Sequence, residues 1–86
     1  MSIVIIKLIS GEEVIATKVG DVYSKVKIFQ FSQGQDGKPQ LGLIPFISIY
    51  PEWTGHINTD LVLVETIAPN DIEKPYLQAT SSIQLL

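Results

Sequence analysis

The sequence contains no cysteine and no arginine, and it has a single histidine. Without cysteine, neither a disulfide framework nor a thiolate zinc site can hold the fold together, which suits a reducing compartment. The fold must therefore rely on packing or on association between chains. The six basic residues are all lysines, and nine acidic residues leave a net charge of -3. The dominant basic surface that indicates a nucleic-acid-binding protein is absent from this composition.

No apolar stretch approaches the roughly 20 residues that a membrane-spanning helix needs. The opening run from Ile3 to Ile9 is short and has Lys7 at its centre. It also lacks the basic segment and the small-residue cleavage site of a signal peptide. We therefore expect a soluble protein that has no membrane partner and works in a cytoplasm. A chain of 86 residues has room for one small domain.

What the sequence does contain favours strands over helices. Isoleucine occurs thirteen times and valine seven times, and these branched residues fit a sheet better than a helix. Turn signals rich in glycine and proline divide the chain into five segments of strand length. The five predicted strands are 3–9, 12–19, 22–31, 40–50 and 60–68. The first three are joined by such short connections that they must be antiparallel neighbours.

Two prolines limit where the elements can lie. Pro45 interrupts the fourth predicted strand, so we expect that strand to lie at an edge, to bend or to carry a bulge. In the tail, Pro75 fits only a first helical turn, which predicts a short helix or an irregular arm beginning near Lys74. The predicted class is a mainly all-β fold, a five-stranded, strongly bent antiparallel open barrel with a short C-terminal helix or arm.

Alternation along the first strand predicts that both of its faces are buried. Val4, Ile6 and Leu8 share one face, while Ile3 and Ile5 lie on the other. A monomeric sheet of this size cannot hide two apolar faces, because even a small barrel leaves its outer face wet. The excess apolar surface indicates a partner, most economically another copy of the chain.

Catalysis has little support in the sequence. His56 has Glu52 four residues before it and Asp60 four residues after it, but in a turn or strand this spacing does not place the three on one face. No nucleophile with a local signature accompanies them, and one imidazole with scattered carboxylates does not make a metal ligand set. We predict a protein that is not an enzyme and has no catalytic residue, metal or other cofactor.

The third predicted strand is the most informative segment. On one of its faces, alternation places Lys25 and Lys27 among the aromatic residues Tyr23, Phe29 and Phe31. Aromatic rings stack on bases and lysines neutralise phosphates, so this face is a candidate surface for single-stranded nucleic acid. The alternative is a solvated face whose lysine stems cover ring edges while the phenylalanines pack on a neighbouring element.

Trp53, in the loop of residues 51–56, is a second stacking candidate. A lone tryptophan more often serves as a packing lid, here over one end of the barrel. The proline and glycine on either side of it favour the lid.

A family resemblance begins with residues 6–16, which read Ile-Lys-Leu-Ile-Ser-Gly-Glu-Glu-Val-Ile-Ala. The apolar pair before a turn glycine, and the strand that ends in a small residue, are similar to the first motif of the Sm/LSm fold. Asp21 lies within one position of the aspartate of that motif. The same stretch and the tail at residues 69–71 also resemble small Sm-like proteins of cyanophages and marine metagenomes.

The resemblance implies both an architecture and a site. Members of the family are small SH3-like open barrels that form RNA-binding rings, with nucleic-acid contacts from the loops after the second and fourth strands. Here those loops lie around residues 20–25 and 53–58, which adds His56 and Asn58 to the candidate binding residues. Lys25 stands near the position of the family's RNA-contacting asparagine, and Asn58 and Thr59 stand near its Arg-Gly step.

Taken together, the residues and the resemblance predict one Sm-like barrel over residues 1–68, with a C-terminal helix or arm over 69–86 packed on it. The predicted function is a ring-forming module of phage origin that binds RNA or single-stranded DNA and has a role in its processing. Its partners would be other copies of itself, in a ring of about five to seven subunits. The alternative is a structural or adaptor ring that binds protein partners in phage development, which the acidic balance favours.

Overall fold

The computed structural model describes residues 1–33, 37 and 39–80. These residues form an antiparallel open sheet followed by one short helix, consistent with a bent open barrel, and the predicted fold class is confirmed. The elements are β1 Ser2–Leu8, β2 Glu13–Val19, β3 Val22–Gln33, β4 Pro39–Pro45, β5 Thr54–Gly55, β6 Val62–Ile67 and α1 Asn70–Thr80. The strand order is β4-β3-β2-β1-β6, and the two-residue β5, which was not predicted, pairs with β3.

The first three strands form the predicted antiparallel meander. Val19 pairs with Val22, so Gly20 and Asp21 alone make the turn between β2 and β3. Gly20 has a φ of +60°, a conformation that a two-residue hairpin turn requires and that glycine adopts without strain.

The fourth strand is shorter than the sequence predicted. It ends at Pro45, and residues 46–52 form turns, one of them closed by the bond from the Tyr50 amide to the Ile47 carbonyl at 3.1 Å. The predicted continuation to residue 50 was therefore wrong. The expectation drawn from Pro45 was right, because β4 lies at one edge of the sheet, where a missing backbone donor is tolerated.

The helix begins earlier than predicted. The Pro69 carbonyl accepts from the amides of Ile72 (3.0 Å) and Glu73 (2.8 Å), so α1 starts at Asn70 and not near Lys74. Pro75 lies inside the helix, where it removes one backbone hydrogen bond. Burial of apolar side chains of α1 on the sheet offsets that loss. The remainder of the predicted arm, residues 81–86, and most of the loop at residues 34–38 lie outside the described residues.

Two apolar clusters lie on the two faces of the sheet. The inner cluster, inside the barrel, consists of Val4, Ile6, Leu8, Val14, Ala16, Tyr23 and Val26. The outer cluster, between the sheet and α1, consists of Ile3, Ile15, Ala68 and Tyr76, with Ile5, Phe29, Leu43 and Ile72 packed around it. The prediction that both faces of β1 are buried is confirmed. The chain itself supplies the outer cover through α1, so the expectation that a monomer cannot cover both faces was wrong.

The edge strand β6 is covered much less completely. It pairs with β1, with an irregular register at which Leu63 is the extra residue. Leu63 is 63% exposed and Ile67 is 66% exposed, and Val64 between them is also exposed. An apolar strand at a sheet edge, with exposed side chains and free backbone groups, is a surface to which another strand can pair.

Truncation of Tyr76 tests how much the outer cluster contributes. Tyr76 is fully buried, whereas its neighbour Leu77 is 42% exposed on the same helix. We expect Tyr76→Ala to lower the free energy of unfolding by about 3 to 5 kcal/mol, and Leu77→Ala to change it by under about 1 kcal/mol. Chemical denaturation followed by circular dichroism measures both variants. Equal effects would contradict the packing of α1 described above.

Candidate nucleic-acid interface

A bulge in β3 determines which side chains reach each face. Ile15 pairs with Lys27 and Thr17 pairs with Ser24, so Lys25 and Val26 together lie opposite Ala16. Lys25 has a φ of +52°, the left-handed conformation that glycine usually takes at this kind of bulge. Because of the extra residue, the side chains of β3 that precede the bulge lie on the faces opposite to those that regular alternation predicts.

Because of the bulge, Tyr23 lies on the inner face. It is 5% exposed and belongs to the inner cluster, so the prediction that it shares a face with the two lysines was wrong. Its ring is not available for base stacking. Phe29 packs in the outer cluster, as the alternative interpretation of this strand held, and the side chain of Phe31 lies outside the described residues.

Tyr23 takes part in a polar cluster that joins three strands. Its hydroxyl donates to Glu65 Oε1 at 2.5 Å, and Lys18 Nζ donates to Glu65 Oε2 at 2.7 Å. The Lys18 ammonium also lies 5.2 Å from the centre of the Tyr23 ring. These contacts link β2, β3 and β6, which are not all neighbours in the sheet, and so hold the bent sheet together.

The polar cluster shifts the pKa values of its members. Partial burial raises the pKa of Glu65, but the hydrogen bonds from Lys18 and Tyr23 outweigh it, so the pKa is lowered overall. The hydrogen bond to Glu65 raises the pKa of Lys18. Burial, followed by the hydrogen bond to Glu65, raises the pKa of Tyr23. The folded protein therefore favours an ionised Glu65 beside a protonated Lys18.

Lys25 and Lys27 do lie together, as predicted. Both line a groove of about 400 Å³, which is also lined by Glu52 from the loop before β5, Thr54 in β5 and Thr80 at the end of α1. Lys25 is exposed and Lys27 is half-buried. With two ammonium groups and one carboxylate among the described lining residues, the groove has a local excess of positive charge within an acidic protein.

Trp53 packs against the inner cluster and is half-buried. Its ring centre lies 6.3 Å from that of Phe46, with the two planes at 51°. A Cβ atom at Gly55 would come within 2.9 Å of Trp53 Cζ2, so only glycine leaves room for the indole at that position. This packing supports a lid over the barrel end, the role that the flanking proline and glycine favoured.

His56 and Asn58 are both exposed. The Asn58 side-chain oxygen accepts from the Asp60 amide at 3.0 Å and so caps the 3-10 turn at Thr59–Leu61. Pairing of Tyr23 with Gly55 and of Ser24 with Thr54 places the two predicted binding loops side by side. The structure thus brings the segment around Lys25 next to the Trp53 loop, although Tyr23 and Trp53 themselves pack on the core.

Two tyrosines near the groove were not among the predicted site residues. Tyr76 in α1 reaches the bulge, because its hydroxyl lies 2.9 Å from the Lys25 carbonyl and 2.9 Å from Thr17 Oγ1. Tyr50 is exposed and directly precedes Pro51, which lines the groove. The aromatic content of the loop could have indicated Tyr50. The partner of Tyr76 is 51 residues away along the chain, so no local pattern indicates it.

Within the described part of the chain, no group of three or more histidine, aspartate or glutamate side chains lies close enough together to hold a metal ion. In the same residues, no helix combines the length and the apolar character needed to cross a membrane.

Replacing Glu65 tests the polar cluster through the pH dependence of stability. The ordinary pKa of 4.5 is lowered on folding, so the stabilisation is complete above pH 4.5 and is lost as the pH falls through the folded pKa. We expect Glu65→Gln to cost under about 1 kcal/mol at neutral pH and to flatten the fall in stability below pH 4.5. Urea titrations at several pH values measure this. The matched control is Glu13→Gln, which removes only the exposed 3.5 Å contact with Lys7, and an equal flattening there would contradict the assignment.

No protein-family model matches the chain, and a search of the curated proteins finds no match either. The resemblance to Sm-like proteins therefore rests on the residues quoted for it and remains a prediction. The structure itself shows a mainly β architecture with a bent open sheet.

Proposed function

We propose that the protein is a ring-forming, Sm-like module that binds single-stranded nucleic acid, RNA or DNA, through the groove of Lys25 and Lys27. The observation that carries the proposal is that these two lysines line one groove beside the loop before β5. Ammonium groups held close together on a rigid sheet neutralise neighbouring phosphates of a strand. His56 and Asn58, both exposed on the segment that follows β5, are further candidate contacts.

The aromatic part of the site differs from the sequence prediction. Tyr23 and Phe29 pack in the two clusters, and Trp53 is half-buried. Tyr50, which directly precedes the groove-lining Pro51, is 58% exposed. An exposed ring beside a positively charged groove is the arrangement that single-strand binding proteins use for stacking. We assign that role to Tyr50.

Assembly into a ring compensates for a weak single site. Two lysines make few phosphate contacts, and the protein as a whole is acidic. Repetition of the groove around a ring raises the affinity through effective concentration, without any new contact. The edges of the sheet supply the means of assembly, because β4 and β6 lie at its two ends and β6 exposes apolar side chains. Pairing of β6 with β4 of the next subunit would close a ring of about five to seven copies.

A protein-binding adaptor ring is the second candidate. Ile49, at the tip of the loop between β4 and β5, is 94% exposed, and it stands next to the exposed Tyr50. An apolar pair at a loop tip suits a protein contact, and the net charge of -3 agrees with it. The two candidates differ in salt dependence, because nucleic-acid binding weakens steeply as salt rises and an apolar protein contact does not.

The double variant Lys25→Glu with Lys27→Glu tests the binding surface. We expect it to lose binding to single-stranded oligonucleotides, as measured by fluorescence anisotropy at two salt concentrations, while circular dichroism shows an intact fold. The matched control is Lys7→Glu with Lys74→Glu, which changes the net charge equally at exposed positions outside the groove. An unchanged affinity in the first variant, or an equal loss in both, would remove the case for the groove.

The oligomeric state tests the ring. We expect native mass spectrometry of the unmodified protein to show a single closed oligomer of about five to seven subunits. Leu63→Lys places a charge on the exposed edge strand, so it should reduce this species to smaller ones. Ile49→Lys changes an equally apolar residue outside the edge strands and should leave the ring intact. A monomer at micromolar concentration would overturn the ring.

A further inference from the structure

One of the two lysines that line the groove stands in an unfavourable backbone conformation. Lys25, with a φ of +52°, is the one non-glycine residue with a positive φ in the part of the chain that the structure describes. Lysine in the left-handed region is less stable than glycine or asparagine would be there. Such conformations persist only where the surrounding structure holds them, and they concentrate at functional sites.

The surrounding structure holds Lys25 through one hydroxyl group. Tyr76 is fully buried, and its hydroxyl donates to the Lys25 carbonyl at 2.9 Å. The Thr17 hydroxyl lies 2.9 Å from the Tyr76 hydroxyl oxygen and is placed to donate to it, since the phenolic proton is already used in the bond to Lys25. The chain from Thr17 through Tyr76 to Lys25 therefore ties β2, α1 and the bulge of β3 together in a buried environment.

The helix also forms part of the groove itself. Thr80 lines the groove with Lys25 and Lys27, and its hydroxyl donates to the Tyr76 carbonyl at 2.9 Å. Tyr76 therefore contacts the bulge through its side chain and the groove-lining end of α1 through its backbone. The Tyr76 residue is thus bonded to two residues that line the groove, Lys25 and Thr80.

We propose that Tyr76 is the positioning residue of the nucleic-acid site: its hydroxyl fixes the bulge that presents Lys25 to a phosphate, and α1 is thus a working part of the interface. This inference rests on the proposed function. It explains why a lysine occupies a position that glycine or asparagine would fill at lower conformational cost. The ammonium group is needed at that point, and the Tyr76 hydrogen bond maintains the backbone conformation that places it there.

The test is a double-mutant cycle between Tyr76 and Lys25. Affinity for fluorescently labelled oligouridylate, and for oligodeoxythymidylate in parallel, is measured by anisotropy over a salt series. We expect Tyr76→Phe to weaken binding roughly two- to tenfold, the range to which the loss of one hydrogen bond converts. Lys25→Gln should lower the salt slope by about 0.7 for each phosphate contact that is lost. In the Lys25→Gln background, Tyr76→Phe should cause no further loss of affinity.

Two control variants separate positioning from general destabilisation. Ile5→Val loosens the outer cluster without touching Lys25, so it should lower the melting temperature and leave the affinity unchanged. Lys25→Asn suits the left-handed backbone but carries no charge, so it should melt at the same temperature as the unmodified protein or higher, and bind more weakly.

The outcomes distinguish this inference from the proposed function. If the Lys25 and Lys27 variants lose binding but Tyr76→Phe binds normally, or weakens binding equally in both backgrounds, Tyr76 is not the positioning residue. If the unmodified protein binds neither oligonucleotide, the proposed function fails and this inference fails with it.

Discussion

The whole structure depends on the need to cover both faces of one apolar strand. β1 contributes Val4 and Ile6 to the inner cluster and Ile3 and Ile5 to the outer cluster, so a flat two-layered arrangement would leave one face exposed to water. The chain covers the two faces in two different ways. The sheet bends around the inner cluster, and α1 folds back over the outer cluster. Neither layer covers β6 completely, so this edge strand still exposes apolar side chains to which another chain could pair.

The bulge in β3 connects this packing to the candidate site. One extra residue at Lys25 lets Tyr23 point into the barrel while Lys27 points out of it. Tyr23 then meets Lys18 and Glu65 on the inner face, which holds β6 against the hairpin of β2 and β3. Lys25 and Lys27 line the groove beside the loop before β5. A single backbone irregularity thus contributes both to the closure of the barrel and to the charge of its surface.

The proposed function depends on the positive charge of one groove, although the protein as a whole is acidic. A net charge of -3 would by itself repel a nucleic acid, but the charge within a Debye length of about 10 Å is what a strand meets. The described residues that line the groove include two lysines and one glutamate. In the proposed ring, repetition of the groove would multiply that local excess, and this would reconcile a weak single site with useful affinity.

The amino-acid sequence by itself determined the elements with strong local signals. Branched residues between turn signals predicted the strands, the two-residue turn at Gly20 determined an antiparallel hairpin, and Pro45 limited β4 to an edge, a bend or a bulge. These features depend on residues that are neighbours along the chain.

Only the tertiary structure decided which way Tyr23 points, what covers the outer face of β1, and what holds Lys25. Alternation along a strand assumes a regular ladder, and a bulge breaks that assumption without a sequence signal when its left-handed residue is a lysine. The bond from Tyr76 to Lys25 spans 51 residues, and only the folded sheet, with α1 packed against it, brings those two groups together.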